Sequence, residues 1–144
     1  MAHPSLGIKD LLVGAVPPIG QWETSNAAWP IYISKLPDKP DQCIAIYDTG
    51  GQAPDPKWLL DYPNVVVMVR AKTYIDARQK IQDIRSRILG LPSQDINGDR
   101  WVSITQMGDI VDAGHDEKDR QLLTATFRLI IEPAGDSYTN RLPL

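Results

Sequence analysis

The run Asp112-Ala113-Gly114-His115-Asp116-Glu117-Lys118-Asp119 gathers oxygen and nitrogen donors of the kind metal chemistry uses. Its spacing matches no zinc pattern, and the other histidine, His3, lies far away in sequence. A solvated hairpin tip is the better reading. Asp95-Ile96-Asn97-Gly98-Asp99 imitates the start of a calcium loop, but the glycine comes early and Gln106 stands where a bidentate glutamate should be. An Asn-Gly turn explains it. Asp48-Thr49-Gly50-Gly51 suggests a phosphate-binding turn, yet no Lys-Ser pair follows and no helix is expected to begin there. A turn with positive φ at glycine is explanation enough. No Gly-x-Ser-x-Gly elbow is present, and Cys43, within an apolar strand, reads as a small buried hydrophobe. Arg70, Lys72, Arg78, Lys80, Arg85 and Arg87 form a basic stretch, but Asp76 and Asp83 interrupt it, as on a solvated helix face. No catalytic residue, cofactor site or metal ligand is expected.

Composition narrows the class without naming an activity. A chain of 144 residues is one domain's worth, able to bury roughly 70% of its unfolded surface. Apolar content of 42% and charged content of 23% are ordinary for a globular protein. A net charge of −3 argues against nucleic-acid binding as the main activity. The single cysteine excludes an internal disulfide and fits synthesis in a reducing cytoplasm. The N-terminus lacks the basic and apolar regions of a signal peptide, and no apolar run is long enough to span a membrane.

The elements follow from periodicity. Ser5 is the natural cap of a short helix through Val13, with Ile8, Leu11 and Leu12 on one face. Ala27–Ile33 and Gln42–Asp48 read as strands joined by the Pro37–Asp41 turn into a hairpin. Pro30 marks the first of these as an edge or a strand start. Residues 49–56 are expected to loop. Val65–Val69 is a buried strand leading into a helix over Tyr74–Leu89, capped by Thr73 and stopped at Gly90. Ile75, Ile81, Ile84 and Ile88 are read as its apolar stripe, with Asp76–Lys80 and Asp83–Arg87 pairs outside. Arg100–Met107 is a strand, continued by Asp109–Ala113 after a kink at Gly108. Gln121–Glu132 alternates, placing Leu123, Ala125, Phe127, Leu129 and Ile131 on one face. The fold class expected is α/β (α+β): a single mixed β-sheet with two helices packed on one face. Residues 1–144 are expected to form one domain, with residues 133–144 an extended tail.

Three neighbouring pieces carry a resemblance. They are Tyr47-Asp48-Thr49-Gly50-Gly51, Pro56-Lys57-Trp58-Leu59-Leu60-Asp61-Tyr62-Pro63, and the valine strand running into its helix. In this order they resemble the tail terminator and minor capsid (neck) proteins of long-tailed bacteriophages, over roughly residues 5 to 135. The resemblance implies a structural virion protein without catalytic residues. Such a subunit forms a homo-oligomer, a hexameric ring, on the tail tube protein, ends tube polymerisation, and presents a surface to the head-connector protein. DNA would be passing cargo, and the location the tail-neck region. Another neck or head-completion protein is the alternative. A small hydrolase or ligand-binding domain would need a polar pocket that no cluster promises.

Interface residues are expected where the fold does not need them. Asp48 ends the strand before the Gly- and Pro-rich loop, Thr49, Gly50 and Gly51 open that loop, and Trp58 follows it; Asp112, His115, Asp116, Glu117 and Asp119 lie in the acidic tip. Of the four tryptophans, Trp22 and Trp58 sit in expected loops, where anchoring a protein–protein contact and packing locally under the loop are about even readings.

Overall fold

The alternating valines of the central strand set the architecture. In the computed structural model, which describes residues 3–22, 28–55 and 60–133, Val65, Val67 and Val69 are fully buried on one side of the sheet. They belong to β4 (Tyr62–Ala71). The neighbouring β7 (Gln121–Glu132) places Phe127, Ala125 and Leu123 directly opposite them in antiparallel register. On the other flank β3 (Cys43–Gln52) sets Ile46 against Val67 and Ile44 against Val69. Two helices, α1 (Pro4–Val13) and α2 (Tyr74–Ile88), cover this face. The remaining strands are β1 (Gln21–Trp22), β2 (Pro30–Ile33), β5 (Gln94–Ile96) and β6 (Asp99–His115). The order across the single seven-stranded sheet is β1-β2-β3-β4-β7-β6-β5.

The fold class is the expected one, a mixed sheet with two helices, and the mixing arises at the β1–β2–β3 flank. β1, β2 and β3 run parallel, and every other neighbouring pair is antiparallel. β2 and β3 are therefore not the expected hairpin. Ser34, at φ 59°, turns the chain out of β2 and donates its N–H to the Ile46 carbonyl. The long proline-bearing loop then returns to the start of β3. β4 and β6 do run in the same direction across the α2 crossover, but β7 inserts between them.

The stripe on α2 differs from the expected one. Thr73 caps the helix, its hydroxyl accepting from the Asp76 N–H at 3.2 Å. Gly90, at φ +81°, follows the last turn as a left-handed stop. The buried face is Ala77, Ile81, Ile84 and Ile88, a clean three- and four-residue spacing. Ile75 does not belong to it and is 77% exposed; its spacing from Ile81 turns it well away from that face. The expected surface ion pairs give way to inward contacts. Lys80 donates to the Ile19 carbonyl and sits 4.9 Å over the Trp29 ring, while Arg87 donates to the Leu11 carbonyl. Lys80 thus ties α2 to the loop after α1, and Arg87 ties it to α1 itself.

Three further boundaries differ. α1 begins at Pro4 with His3 as N-cap, so Ser5 lies inside the first turn; proline suits that position because its missing N–H needs no partner there. β3 runs on through Thr49–Gln52 rather than looping. A short β5 pairs with the start of β6 through a turn at Asn97 (φ 52°) and Gly98 (φ 88°), the mirror-image hairpin turn. β6 continues past Gly108 as expected, with a register shift between Met107 and Val111.

Candidate assembly interface

The expected interface residues separate into two groups at opposite ends of the sheet. β3 starts with Cys43 beside Arg70 and ends with Gln52 beside Tyr62. Leu122 lies next to Arg70, and His115 pairs with Gln121. The Asp48–Gly51 segment is thus towards the Tyr62 end, and the acidic tip is at the Arg70 end. Trp58 lies outside the described residues.

At the Tyr62 end, Gly50 and Gly51 form an irregularity within β3, with φ of 91° and 97°. A Cβ on Gly51 would fall within van der Waals radii of the Tyr62 carbonyl oxygen, so glycine is needed both for conformation and for close approach. Positive φ was the expected reason for these glycines; a strand bulge, rather than a turn, is what uses it. Asp48 has a structural task. Its carboxylate accepts from the Ser5 N–H at 3.1 Å and the Ser5 hydroxyl at 2.9 Å, satisfying the start of α1. Nearby, Tyr62 donates its hydroxyl to Asp55 at 2.8 Å, and that bond raises the phenol's pKa. An apolar recess lies here between Pro4, Gly50, Pro54, Tyr62, Pro63 and Pro133.

At the other end, the acidic tip is bound into a clasp. Arg120 is only 5% exposed. Its Nε donates to Asp116 at 2.7 Å, and Nη1 to the Asp38 carbonyl at 2.6 Å. It also reaches the carboxylates of Asp38 and Asp41 at 3.3 Å. Asp116 accepts the backbone N–H groups of Lys118 and Arg120 as well, shaping the tip. Desolvation opposes ionisation of Asp116, but the Arg120 and Lys118 bonds outweigh it and hold its pKa below the usual value. Asp112 is similarly occupied, accepting from the Gly114 N–H and the Gln121 amide, which lower its pKa. Glu117 and Asp119 are exposed. Asp119 sits at φ 60° in the turn that its N–H closes onto the Asp116 carbonyl.

Arg70 completes the clasp and is not part of the solvated basic face the sequence suggested. It is 2% exposed at the end of β4, its guanidinium donating to the Pro40 and Asp41 carbonyls. Its place in an otherwise apolar strand was the available signal. Tyr74 and Ile75, the second read from the sequence as part of the apolar stripe, are both exposed on the first turn of α2 at this same end. Trp22 is in a short edge strand rather than a loop, with the Lys9 ammonium 5.0 Å over its ring. Among the described residues no group of three His, Cys, Asp or Glu side chains is placed to hold a metal. No described helix is long and apolar enough to cross a membrane. Exposed residues remain at both ends, Gly50 and Gly51 at one and Glu117 and Asp119 at the other.

One similar solved structure is a chain of the virion of a native gene transfer agent particle. It is 12% identical and superposes with a TM-score of 0.66, covering 91% of this chain and 99% of the other; at that identity the likeness speaks for the fold. No curated protein sequence matches. The family model described as bacteriophage tail terminator protein matches residues 8–133, a span that takes in the glycine bulge, the clasp and the whole of β7. This chain belongs to the bacteriophage tail terminator family, and is a structural protein of the phage virion.

Proposed function

We infer that this protein closes the tail tube as a ring, ends tube polymerisation and joins the tail to the head connector in the neck of the particle. The observation that carries the reading is the separation of the two candidate surfaces. The Gly50–Gly51 recess and the Glu117–Asp119 tip stand at opposite ends of one sheet. A subunit that bridges two different assemblies needs two such ends. The family membership supports a tail position. Subunits make head-to-tail contacts that close on themselves, as a ring must, in the homohexamer that the resemblance implies. DNA passes through as cargo. The protein is made in the host cytoplasm, and the whole chain acts as one domain.

The test is a map of the assembled particle together with tail lengths from particles lacking the protein. A hexameric ring above the last tube ring, and tails of uncontrolled length without it, are expected. Isolated single copies around the neck, or normal tails without the protein, would overturn the reading.

A further inference from the structure

Asn97 and Gly98 form the turn between β5 and β6, at φ 52° and 88°. Among the asparagines of the chain, only Asn97 is followed by glycine. The pairing matters chemically. The backbone nitrogen after an asparagine can attack that residue's own side-chain amide carbon, and a side chain on the attacking residue hinders the approach. Gly98 has none, and nothing lies within 4 Å of where its Cβ would be. Both residues are exposed, so water reaches the turn. Asn64, by contrast, lies inside β4 and precedes Val65, whose branched side chain is fully buried.

We propose that Asn97 is a site of spontaneous hydrolytic deamidation, restrained by Asp10. The Gly98 nitrogen bonds to Asn97 Cγ, the Cγ–Nδ2 bond breaks, and ammonia leaves with the Gly98 amide proton. Water then opens the five-membered imide at either carbonyl, giving aspartate or isoaspartate; nothing is oxidised or reduced. In the folded turn Asn97 Nδ2 donates to Asp10 Oδ2 at 2.8 Å. That bond fixes the amide on α1 and competes with the rotation that ring closure needs. The product changes more than a charge. A carboxylate at residue 97 faces Asp10 where a donor stood, and like charges disfavour each other. Isoaspartate also adds one atom to the backbone of a two-residue turn that closes only in its mirror-image geometry. Ile96 and Asp99, 8% and 2% exposed, are buried on either side of it. β5 is three residues long and pairs with β6 alone, so its register rests on this turn. Deamidation therefore releases β5 from the sheet edge.

The test ages the purified full chain at mildly alkaline pH, where more of the Gly98 amide is deprotonated, and follows peptide masses after digestion. The peptide carrying Asn97 should gain the mass of one amide-to-acid exchange, and the peptide carrying Asn64 should not. Asp10→Ala should speed the gain by roughly 2- to 10-fold, the population effect of one lost hydrogen bond. Asp10→Asn keeps an acceptor oxygen and should stay near the parent rate. Asn97→Gln, whose closure needs a six-membered ring, should abolish the gain. Hydrogen exchange of the aged protein should rise across β5, as local unfolding of a small edge unit requires. An Asn97 peptide that keeps its mass, or an Asn64 peptide that changes first, would overturn the site. Equal rates in Asp10→Ala and the parent would overturn the restraint, and unchanged exchange in the aged protein would overturn the release of β5. None of these outcomes bears on the ring reading, which draws on other residues.

Discussion

Arg120 Nε and Asp116 Oδ2 lie 2.7 Å apart, with the guanidinium almost entirely buried and the carboxylate at the tip of a hairpin. The pair converts a residue that looks like a free acidic docking group into part of the tip's own framework. Arg120 continues to the Asp38 carbonyl and to two further carboxylates, tying the β6–β7 hairpin to the Pro37–Asp41 loop. Replacing Arg120 with Ala takes the guanidinium donor from that carbonyl and from Asp116 Oδ2, while the two backbone bonds to Asp116 Oδ1 remain. Urea unfolding should show a loss of about 1–3 kcal/mol, the cost of orphaning partly buried polar groups. Asp38→Asn, at an outer and solvated position, should change stability far less.

The same clasp sets a pH dependence. Asp38, Asp41, Asp112 and Asp116 all have pKa values lowered from 3.8. For Asp38 the Lys118 bond is the largest cause, and for Asp41 the Lys72 bond. The unfolded chain therefore binds more protons than the native one around and below its own pKa, and stability rises with pH in that range. The contribution is complete above the unfolded value and is lost as pH falls through the lower folded values. Acid titration of the unfolding free energy should show this loss below about pH 4, the unfolded carboxylate range. Asp116→Asn should flatten part of the slope, and an unchanged slope would remove Asp116 from the account.

Phe127 faces Val65 on β4, fully buried beneath the helices. Truncating it to Ala should cost about 3–5 kcal/mol, because both the transfer of the ring and the cavity left behind count. A denaturant midpoint that barely moves would mean the face is wetter than its burial implies.

Gly50 and Gly51 invite a paired comparison. Both have positive φ, but only at Gly51 would a Cβ collide with backbone, whereas at Gly50 nothing lies within 4 Å. Gly50→Ala should therefore cost about 1–2 kcal/mol, the left-handed penalty alone. Gly51→Ala adds a displacement of Tyr62 and Pro63 and should cost distinctly more. Equal losses in thermal unfolding would show that the collision is relieved by a local shift.

What the sequence revealed, and what it hid, follows from where the determining forces act. The alternation Leu123, Ala125, Phe127, Leu129, Ile131 and the Thr73 cap are local patterns, and both appear in the fold as read. Strand order is not local. Nothing near Pro30–Ile33 or Cys43–Gln52 encodes that the connecting loop returns instead of folding back as a hairpin, so parallel pairing stayed hidden. The candidate interface was legible as two composition-biased segments. Their partners were not, because Arg120 reaches Asp38 across 82 positions of the chain and Ser5 reaches Asp48 across 43. Ile75 misled for a geometric reason: its spacing from Ile81 fits no helical face, a fact the count of isoleucines conceals.

The acidic tip yields the last prediction, and the clasp decides which residues it concerns. Asp116 and Asp112 are committed to Arg120, Gln121 and backbone donors. Changing them would test the hairpin's integrity as much as any docking. Glu117 and Asp119 are exposed beside them, so their charge is free to steer a basic partner surface, affecting alignment and encounter more than raw affinity. Asp119 holds a left-handed conformation at φ 60°, which asparagine adopts more readily than lysine does. The variant to build is therefore Glu117→Lys with Asp119→Asn. Its unfolding midpoint should match the parent's, while assembled particles should show longer or unevenly terminated tails, or tails detached from heads. Tails of normal, uniform length joined to heads would place the contact elsewhere, with the exposed Tyr74 and Ile75 at the same end as the next residues to change.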